Sequence, residues 1–303
     1  MRRRLLARLL PVLLTLAGCV SAPQPQPGPV GPPQGRYQDQ LHRLPVAQAD
    51  GSTRLILMRL CRPPREGPAP LVVINHGSPG QAAARQGMRP GSCESAAVQW
   101  FLARGYAAAL PLRRGYGTDG GTWPESYGRC ERPDFVGGGR ETARDIAATI
   151  SYARTLPEIR RDVGALVVGQ SAGGWGAVAL GSTWAEGVAG LVNFAGGRAG
   201  RIAGVPNANC RPDLLVAAAR QFGATARGLP MLWIYAANDS FFAPEQVARM
   251  HAAYVGAGGR AELHALGPFG QDGHALFGAR AGAAIWGPIL LAYMRARGLP
   301  AEP

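Results

Sequence analysis

The sequence predicts an α/β fold: a mostly parallel, twisted sheet with helices on both faces. Three observations lead there. Short apolar, β-branched runs such as Leu71-Val72-Val73-Ile74 and Ala165-Leu166-Val167-Val168 recur along the chain, and such runs suit strands buried on both faces. Segments with helical spacing alternate with them, which is the pattern of βαβ units. No internal repeat and no second domain boundary breaks the alternation, and 303 residues with 47% hydrophobic content suffice for one large core.

In chain order, residues 54–60 read as a strand. Residues 71–75 form a buried strand that ends at His76-Gly77. Residues 92–104 carry Ala96, Val98, Phe101 and Leu102 at helical spacing. Residues 106–112 are strand-like and stop at Arg113-Arg114-Gly115. Residues 141–156 place Ala143, Ile146, Ala147, Ile150 and Ala153 on one helical face. After the strand at 165–168 come a small-residue helix (171–180), a strand (188–194), a helix (211–220), a strand (230–236), a helix (244–255) and a short strand (261–266). A closing helix over 275–297 is expected to break near Gly287-Pro288, because proline removes a helix donor. Residues 117–138 and 196–209 have loop chemistry, and loops that long in a compact domain are often functional.

The N-terminus reads as a targeting segment. Met1 to Arg8 is basic, Leu9 to Leu16 is apolar, and Leu16-Ala17-Gly18-Cys19 follows. A basic head, an apolar middle and small residues before a cut describe a secretory signal, and the run is too short to span a bilayer. The last four residues resemble a bacterial lipobox. That resemblance implies cleavage after residue 18, lipidation of Cys19 and a tether to a membrane facing the periplasm or cell exterior. Residues 19–36, rich in proline and glutamine, read as a semi-rigid tether, and the folded domain is expected over 37–303.

The formal charge is +13, all of it arginine on the positive side. Arg2, Arg3, Arg4 and Arg8 lie in the segment expected to be removed, which takes it to +9. The arginines are scattered and not interleaved with aromatics, which argues against nucleic-acid binding. Beyond Cys19 four cysteines remain: Cys61, Cys93, Cys130 and Cys210. An even number in an exported chain suggests two disulfides, with three possible connectivities. Cys93 and Cys130 both fall in loops on the expected active-site side, which favours that pair and leaves Cys61 with Cys210. No close pair of cysteine or histidine ligands appears, so no metal is expected, and no organic cofactor is implied.

The chemistry centres on Gly169-Gln170-Ser171-Ala172-Gly173, which follows a buried strand and opens a helix. Such a sharp turn lifts a serine above the sheet, and its glycines avoid clashes with the adjoining strand and helix. Asp239 follows the strand at 230–236, and His274 follows the strand at 261–266. The order Ser, Asp, His with this placement points to Ser171 as nucleophile, His274 as general base and Asp239 as the acid that orients it. Asp272 is the alternative acid. His251 and His264 sit within an expected helix and strand and are read as structural. His76 reads as a turn-stabilising residue and Arg114 as a loop anchor.

With these residues in view, the stretch from about Leu71 to Leu299 resembles the α/β-hydrolase superfamily. It is most similar to the dienelactone-hydrolase and prolyl-oligopeptidase-like branches. The carrying residues are His76-Gly77, Arg114-Gly115, Gly169 to Gly174, Asn238-Asp239 and Asp272-Gly273-His274. Dienelactone hydrolases use a cysteine nucleophile where this chain has Ser171, so ester chemistry is implied in place of dienelactone chemistry. The chain has no propeller domain like that of the oligopeptidases. The resemblance places one oxyanion-hole N–H on Ala172 and a second in the turn after His76-Gly77, where Ser78 is chosen because Pro79 has no N–H. Trp123, Tyr127, Trp175, Phe241 and Phe242 are candidates for an apolar substrate pocket. The expected activity is hydrolysis of a small-molecule ester, with an amide or short peptide as the alternative. The rival class is a non-catalytic envelope lipoprotein that binds a ligand on a hydrolase scaffold. An intact triad argues against it.

Overall fold

The computed structural model describes residues 25–118, 121–183 and 186–302. The proposed signal segment and Cys19 lie outside them. Nine strands form one sheet in the order β1-β2-β3-β5-β4-β6-β7-β8-β9. They are β1 (Gly28–Gln34), β2 (Asp39–Ala47), β3 (Thr53–Cys61), β4 (Leu71–Asn75), β5 (Ala107–Leu112), β6 (Ala165–Gln170), β7 (Val188–Phe194), β8 (Met231–Ala236) and β9 (Ala261–Leu266). The first three strands and the β3–β5 junction are antiparallel, and all pairs from β5 through β9 are parallel.

The strand alternation builds two cores. In β4, Leu71 and Val73 face one side while Val72 and Ile74 face the other; in β6, Ala165 and Val167 split from Leu166 and Val168 in the same way. One face is covered by α3 (Phe135–Ala153), α4 (Ala172–Thr183), α5 (Pro212–Ala224) and α6 (Pro244–Gly256). The other is covered by α2 (Ala96–Leu102) and α7 (Gly282–Ala296). A five-residue helix, α1 (Ala82–Gln86), follows β4. All five residues of β4 are buried, and each large apolar side chain so placed contributes roughly 1.5–3 kcal/mol.

The structure differs from the sequence expectation in four places. Residues 28–34, read as tether, form β1 against β2. Pro29, Pro32 and Pro33 are tolerated because β1 is an edge strand, where a missing N–H breaks no ladder bond on the open side. The helix expected at 141 starts at Phe135 as α3. Asp134 caps it by accepting a hydrogen bond from the Gly137 N–H at 2.7 Å. Its glycines are required by packing, since a Cβ on Gly139 would lie 2.9 Å from the Phe222 ring. The break expected near Gly287-Pro288 falls earlier, between a 3-10 turn at Gly273–Ala275 and α7, and α7 continues across Pro288. The buried stripe of Trp286, Leu290 and Met294 holds α7 to the sheet against a proline cost of about 3 kcal/mol.

The fourth difference is the disulfides, which join Cys61 to Cys93 and Cys130 to Cys210, with Cα–Cα distances of 5.6 and 5.3 Å. Cys61 pairs in register with Ala108 and shares one core with the start of α2, which Cys93 precedes. Cys130 and Cys210 join the two long loops that lie before α3 and α5.

Candidate active site

The strand order reverses between β5-β4 and β6-β7, so the C-terminal ends of β4 and β6 open a crevice where open α/β sheets bind ligands. Ser171 sits at this point, between β6 and α4, with φ +55°. That left-handed conformation is uncommon for a residue with a side chain and costs free energy that the surroundings must offset. Its N–H donates to Phe194 O at 2.9 Å, and its carbonyl accepts from Trp175 N at 2.9 Å and Gly197 N at 3.3 Å. The flanking glycines leave no room for a side chain. A Cβ on Gly173 would lie 2.4 Å from Asn75 O, and one on Gly169 would lie 2.1 Å from Gly173 O.

Asp239 follows β8 and is buried, with 1% exposure. Both its carboxylate oxygens lie 3.0 Å from His274 Nδ1. A carboxylate only accepts, so Nδ1 carries the proton and Nε2 keeps its lone pair. Backbone N–H groups of Phe241 and Phe242 donate to Asp239 Oδ1 at 2.7 and 3.1 Å and aim the carboxylate. Phe241 stacks on the His274 ring at 4.0 Å. Gln170 Nε2 donates to His274 O at 3.2 Å, tying the histidine segment to the serine turn. Among the described residues no hydrogen bond joins the Ser171 hydroxyl to the His274 ring; such contacts often close only when substrate binds.

Asp272 has a different task. It accepts from Ser240 N at 3.0 Å, Ser240 Oγ at 2.6 Å and His274 N at 3.0 Å. Burial raises its pKa, but these hydrogen bonds outweigh burial and hold the carboxyl below its ordinary value. Asp272 thus staples the histidine turn to the loop after β8.

Of the residues expected at an oxyanion hole, Ala172 is the first residue of α4, where backbone N–H groups have no intrahelical acceptor. Ser78 lies in the turn after β4, and its hydroxyl contacts Pro79 O at 3.4 Å. Gly77 brings this turn against the serine: a Cβ there would lie 3.2 Å from Ser171 Cβ. His76 braces the turn. Its Nε2 accepts from Arg113 N at 3.3 Å, so its Nδ1 donates to Gly77 O at 2.6 Å. Burial, then the neighbouring Arg113 guanidinium, push its pKa down to about 3, so the ring is neutral.

Beneath the turn lies a charged network that sequence reasoning missed. Arg113 Nη1 donates to His76 O at 2.8 Å, and its Nε and Nη2 each donate to Glu125 at 3.2 Å. Arg198 donates to Glu125 Oε2 at 2.8 Å, and the Thr142 hydroxyl donates to Glu125 as well. Burial raises the Glu125 pKa, but the Arg113 and Arg198 guanidiniums outweigh it and hold the carboxyl well below its ordinary value. Arg114 pairs with Asp145 at 2.5 Å and Glu141 at 2.8 Å, as an anchor to α3. His251 bonds Ala261 O and His264 bonds Glu262, both away from the serine turn.

Of the five aromatic pocket candidates, Phe241 alone contacts the histidine. Trp175 is fully buried in α4 and donates to Phe135 O at 2.8 Å. Phe242 belongs to the core. Tyr127 packs on Phe135 at 5.5 Å, and Trp123 lies under the Arg85 guanidinium at 3.8 Å. The cavity beside the site is instead walled by small and aliphatic residues. It measures about 460 Å³ and includes Gly77, Ala97, Val98, Leu110, His274 and Phe277 in its lining.

No protein-family model matches the chain, and no curated protein matches it in sequence. Solved structures do match in shape. An acylaminoacyl peptidase of Pyrococcus horikoshii superposes with a TM-score of 0.60 at 15% identity, over 88% of this chain and 42% of the peptidase. An esterase of Pyrococcus furiosus gives 0.57 at 14% identity, over 86% of this chain and 91% of the esterase. A Klebsiella pneumoniae protein assigned as a dienelactone hydrolase gives 0.53 at 15% identity, over 84% and 98%.

The chain has the α/β-hydrolase fold. Its catalytic-domain share of the peptidase is under half of that protein's length, and the esterase and the Klebsiella protein match it nearly end to end. Within this α/β-hydrolase, the Cys130–Cys210 disulfide ties together the two long loops at the C-terminal edge of the sheet, the edge that carries Ser171, Asp239 and His274.

Proposed function

We propose that this α/β-hydrolase is a serine hydrolase of carboxylic esters. Ser171 is the nucleophile, His274 the general base, and Asp239 the acid that fixes the ring. The observation that carries this reading is the Asp239–His274 pair at 3.0 Å over the serine turn. Ser171 Oγ attacks the ester carbonyl carbon as its proton passes to His274 Nε2. The carbonyl oxygen becomes an oxyanion facing the N–H groups of Ala172 and the Gly77–Ser78 turn. Collapse expels the alcohol, which takes the proton from His274 and leaves an acyl-enzyme. Water then repeats the sequence and releases the acid. Amide or peptide cleavage uses the same groups and is the second reading, supported by the shape match to the acylaminoacyl peptidase.

The same proposal places the protein outside the cytoplasm, held to a membrane through acylated Cys19. The basic-apolar-lipobox order of residues 1–19 and the pairing of all four other cysteines support it. A fluorophosphonate probe tests the enzyme. Labelling of wild type that disappears in Ser171→Ala is expected. A folded wild type that takes up no probe contradicts the proposal and favours a ligand-binding lipoprotein.

A further inference from the structure

The cavity beside His274 has a shape and chemistry that the triad by itself does not require. It lies on the α2–α7 face of the sheet, between α2, the strand ends at Ile74 and Leu110, and the segment from His274 to Ala279. Its walls are made open by small residues: Gly91, Ala97, Gly278 and Ala279 stand where larger side chains would fill it. Its polar groups collect at one end, where Gly77, Gln170 and His274 adjoin the serine turn. At about 460 Å³ it falls in the range of pockets that enclose a small molecule, roughly 300–1,000 Å³.

The wall that faces α7 is held in place by covalent and apolar contacts. Cys93, buried at 3%, bonds Cys61 at the end of β3 and so fixes the 87–95 segment that carries Gly91. Leu110 closes on Gly91, since a Cβ there would meet Leu110 Cδ1 at 3.4 Å. Phe277 stacks against Phe194 at 4.6 Å, which braces the opposite wall on the core. A pocket framed by a disulfide and core aromatics is pre-organised, which lowers the ordering cost of binding an apolar group.

We infer that this cavity binds an extended or aromatic apolar group of the ester, so that the substrate class is esters carrying such a group and not acetate-sized ones. The inference rests on the serine-hydrolase reading, because it places the scissile carbonyl between Ser171 and the Gly77 turn. From there the cavity opens past His274, and either the acyl chain or the alcohol can extend into it. Burial of each added methylene contributes about 0.8 kcal/mol, so kcat/KM climbs with chain length until the cavity is full.

Two variants plug the cavity from different sides. Ala97→Phe fills it from α2. Gly278→Phe fills it from the rim, where a Cβ meets nothing within 4 Å and the backbone is not left-handed, so this variant is expected to fold. The test measures kcat/KM for p-nitrophenyl esters from acetate to decanoate, and for alkyl acetates from methyl to octyl. Fluorophosphonate labelling of Ser171 is followed in every variant. Wild type is expected to prefer hexanoate or longer over acetate by about tenfold or more. Gly278→Phe and Ala97→Phe should erase that preference while acetate turnover and labelling persist. Dependence in the p-nitrophenyl series assigns the cavity to the acyl side, and dependence in the alkyl acetates to the alcohol side. A labelled wild type with a flat profile in both series overturns the inference and leaves the hydrolase reading intact, as does a preference that survives Gly278→Phe. A wild type that neither labels nor turns over any ester overturns both.

Discussion

His274 presents Nδ1 to both carboxylate oxygens of Asp239 at 3.0 Å, and Asp239 is held in turn by the N–H groups of Phe241 and Phe242. Asp239→Asn replaces an acceptor by a group that can donate, so the ring loses its tautomer. By analogy with other triads, kcat should fall by roughly 10³–10⁴-fold with KM little changed. Asp272→Asn loosens only the loop staple to Ser240 and should cost far less. Steady-state kinetics of the two variants decide between the acids, and a larger loss in Asp272→Asn would reverse the assignment.

Glu125 is 2% exposed and lies between Arg113 and Arg198. Glu125→Gln leaves two buried guanidiniums without their countercharge. Removing one partner of a buried pair costs about 3–5 kcal/mol. Urea unfolding should show a loss of that order, and a midpoint close to wild type would mean the network contributes little.

His76 sets a pH dependence. Its pKa is about 3 in the folded protein against 6.5 ordinarily, through burial and Arg113. Between these values the unfolded chain binds a proton that the native ring does not. Stability therefore falls as pH drops through that window, by at most about 1.4 kcal/mol per pH unit. His76→Asn has no such proton to take up. Unfolding midpoints at about pH 7 and about pH 4.5 should show wild type losing more than the variant, and an equal loss in both would rule His76 out as the source.

The Cys130–Cys210 disulfide closes a separation of 80 residues and Cys61–Cys93 one of 32. The chain-entropy account assigns them about 4–5 and 3–4 kcal/mol. Cys130→Ala/Cys210→Ala should lower the melting temperature and make the two loops over the sheet edge more susceptible to protease. Reduction of wild type should give a larger drop than either disulfide removed singly. An unchanged melting temperature after full reduction would show that the loops are held by other contacts.

The parallel half of the sheet was legible because its strands are short apolar runs between turn residues: the expected bounds at Leu71–Asn75, Val188–Phe194 and Ala261–Leu266 match those observed. The antiparallel half was less so. In β2 the buried positions are His42, Leu44 and Val46, and a polar residue opens the alternation; in β1 the prolines hide an edge strand. The serine turn, Asp239 and His274 were legible from chain order and strand ends. The disulfide pairing and the Arg113–Glu125–Arg198 network were not, because both depend on which loops meet in space. Glu125 and Arg198 lie 73 residues apart with no local pattern joining them. Large aromatics near the catalytic motifs pointed to a pocket, yet most went to the core, where their area is best buried. The cavity is formed by small residues, which carry no signal in a sequence.

The most direct test of the account is acyl-enzyme capture. Wild type mixed with p-nitrophenyl acetate and quenched in acid should yield one acetylated peptide, the one containing Ser171, with a burst of nitrophenolate matching the enzyme present. Steady turnover with no adduct on that peptide, or with the acetyl group on another residue, would contradict it.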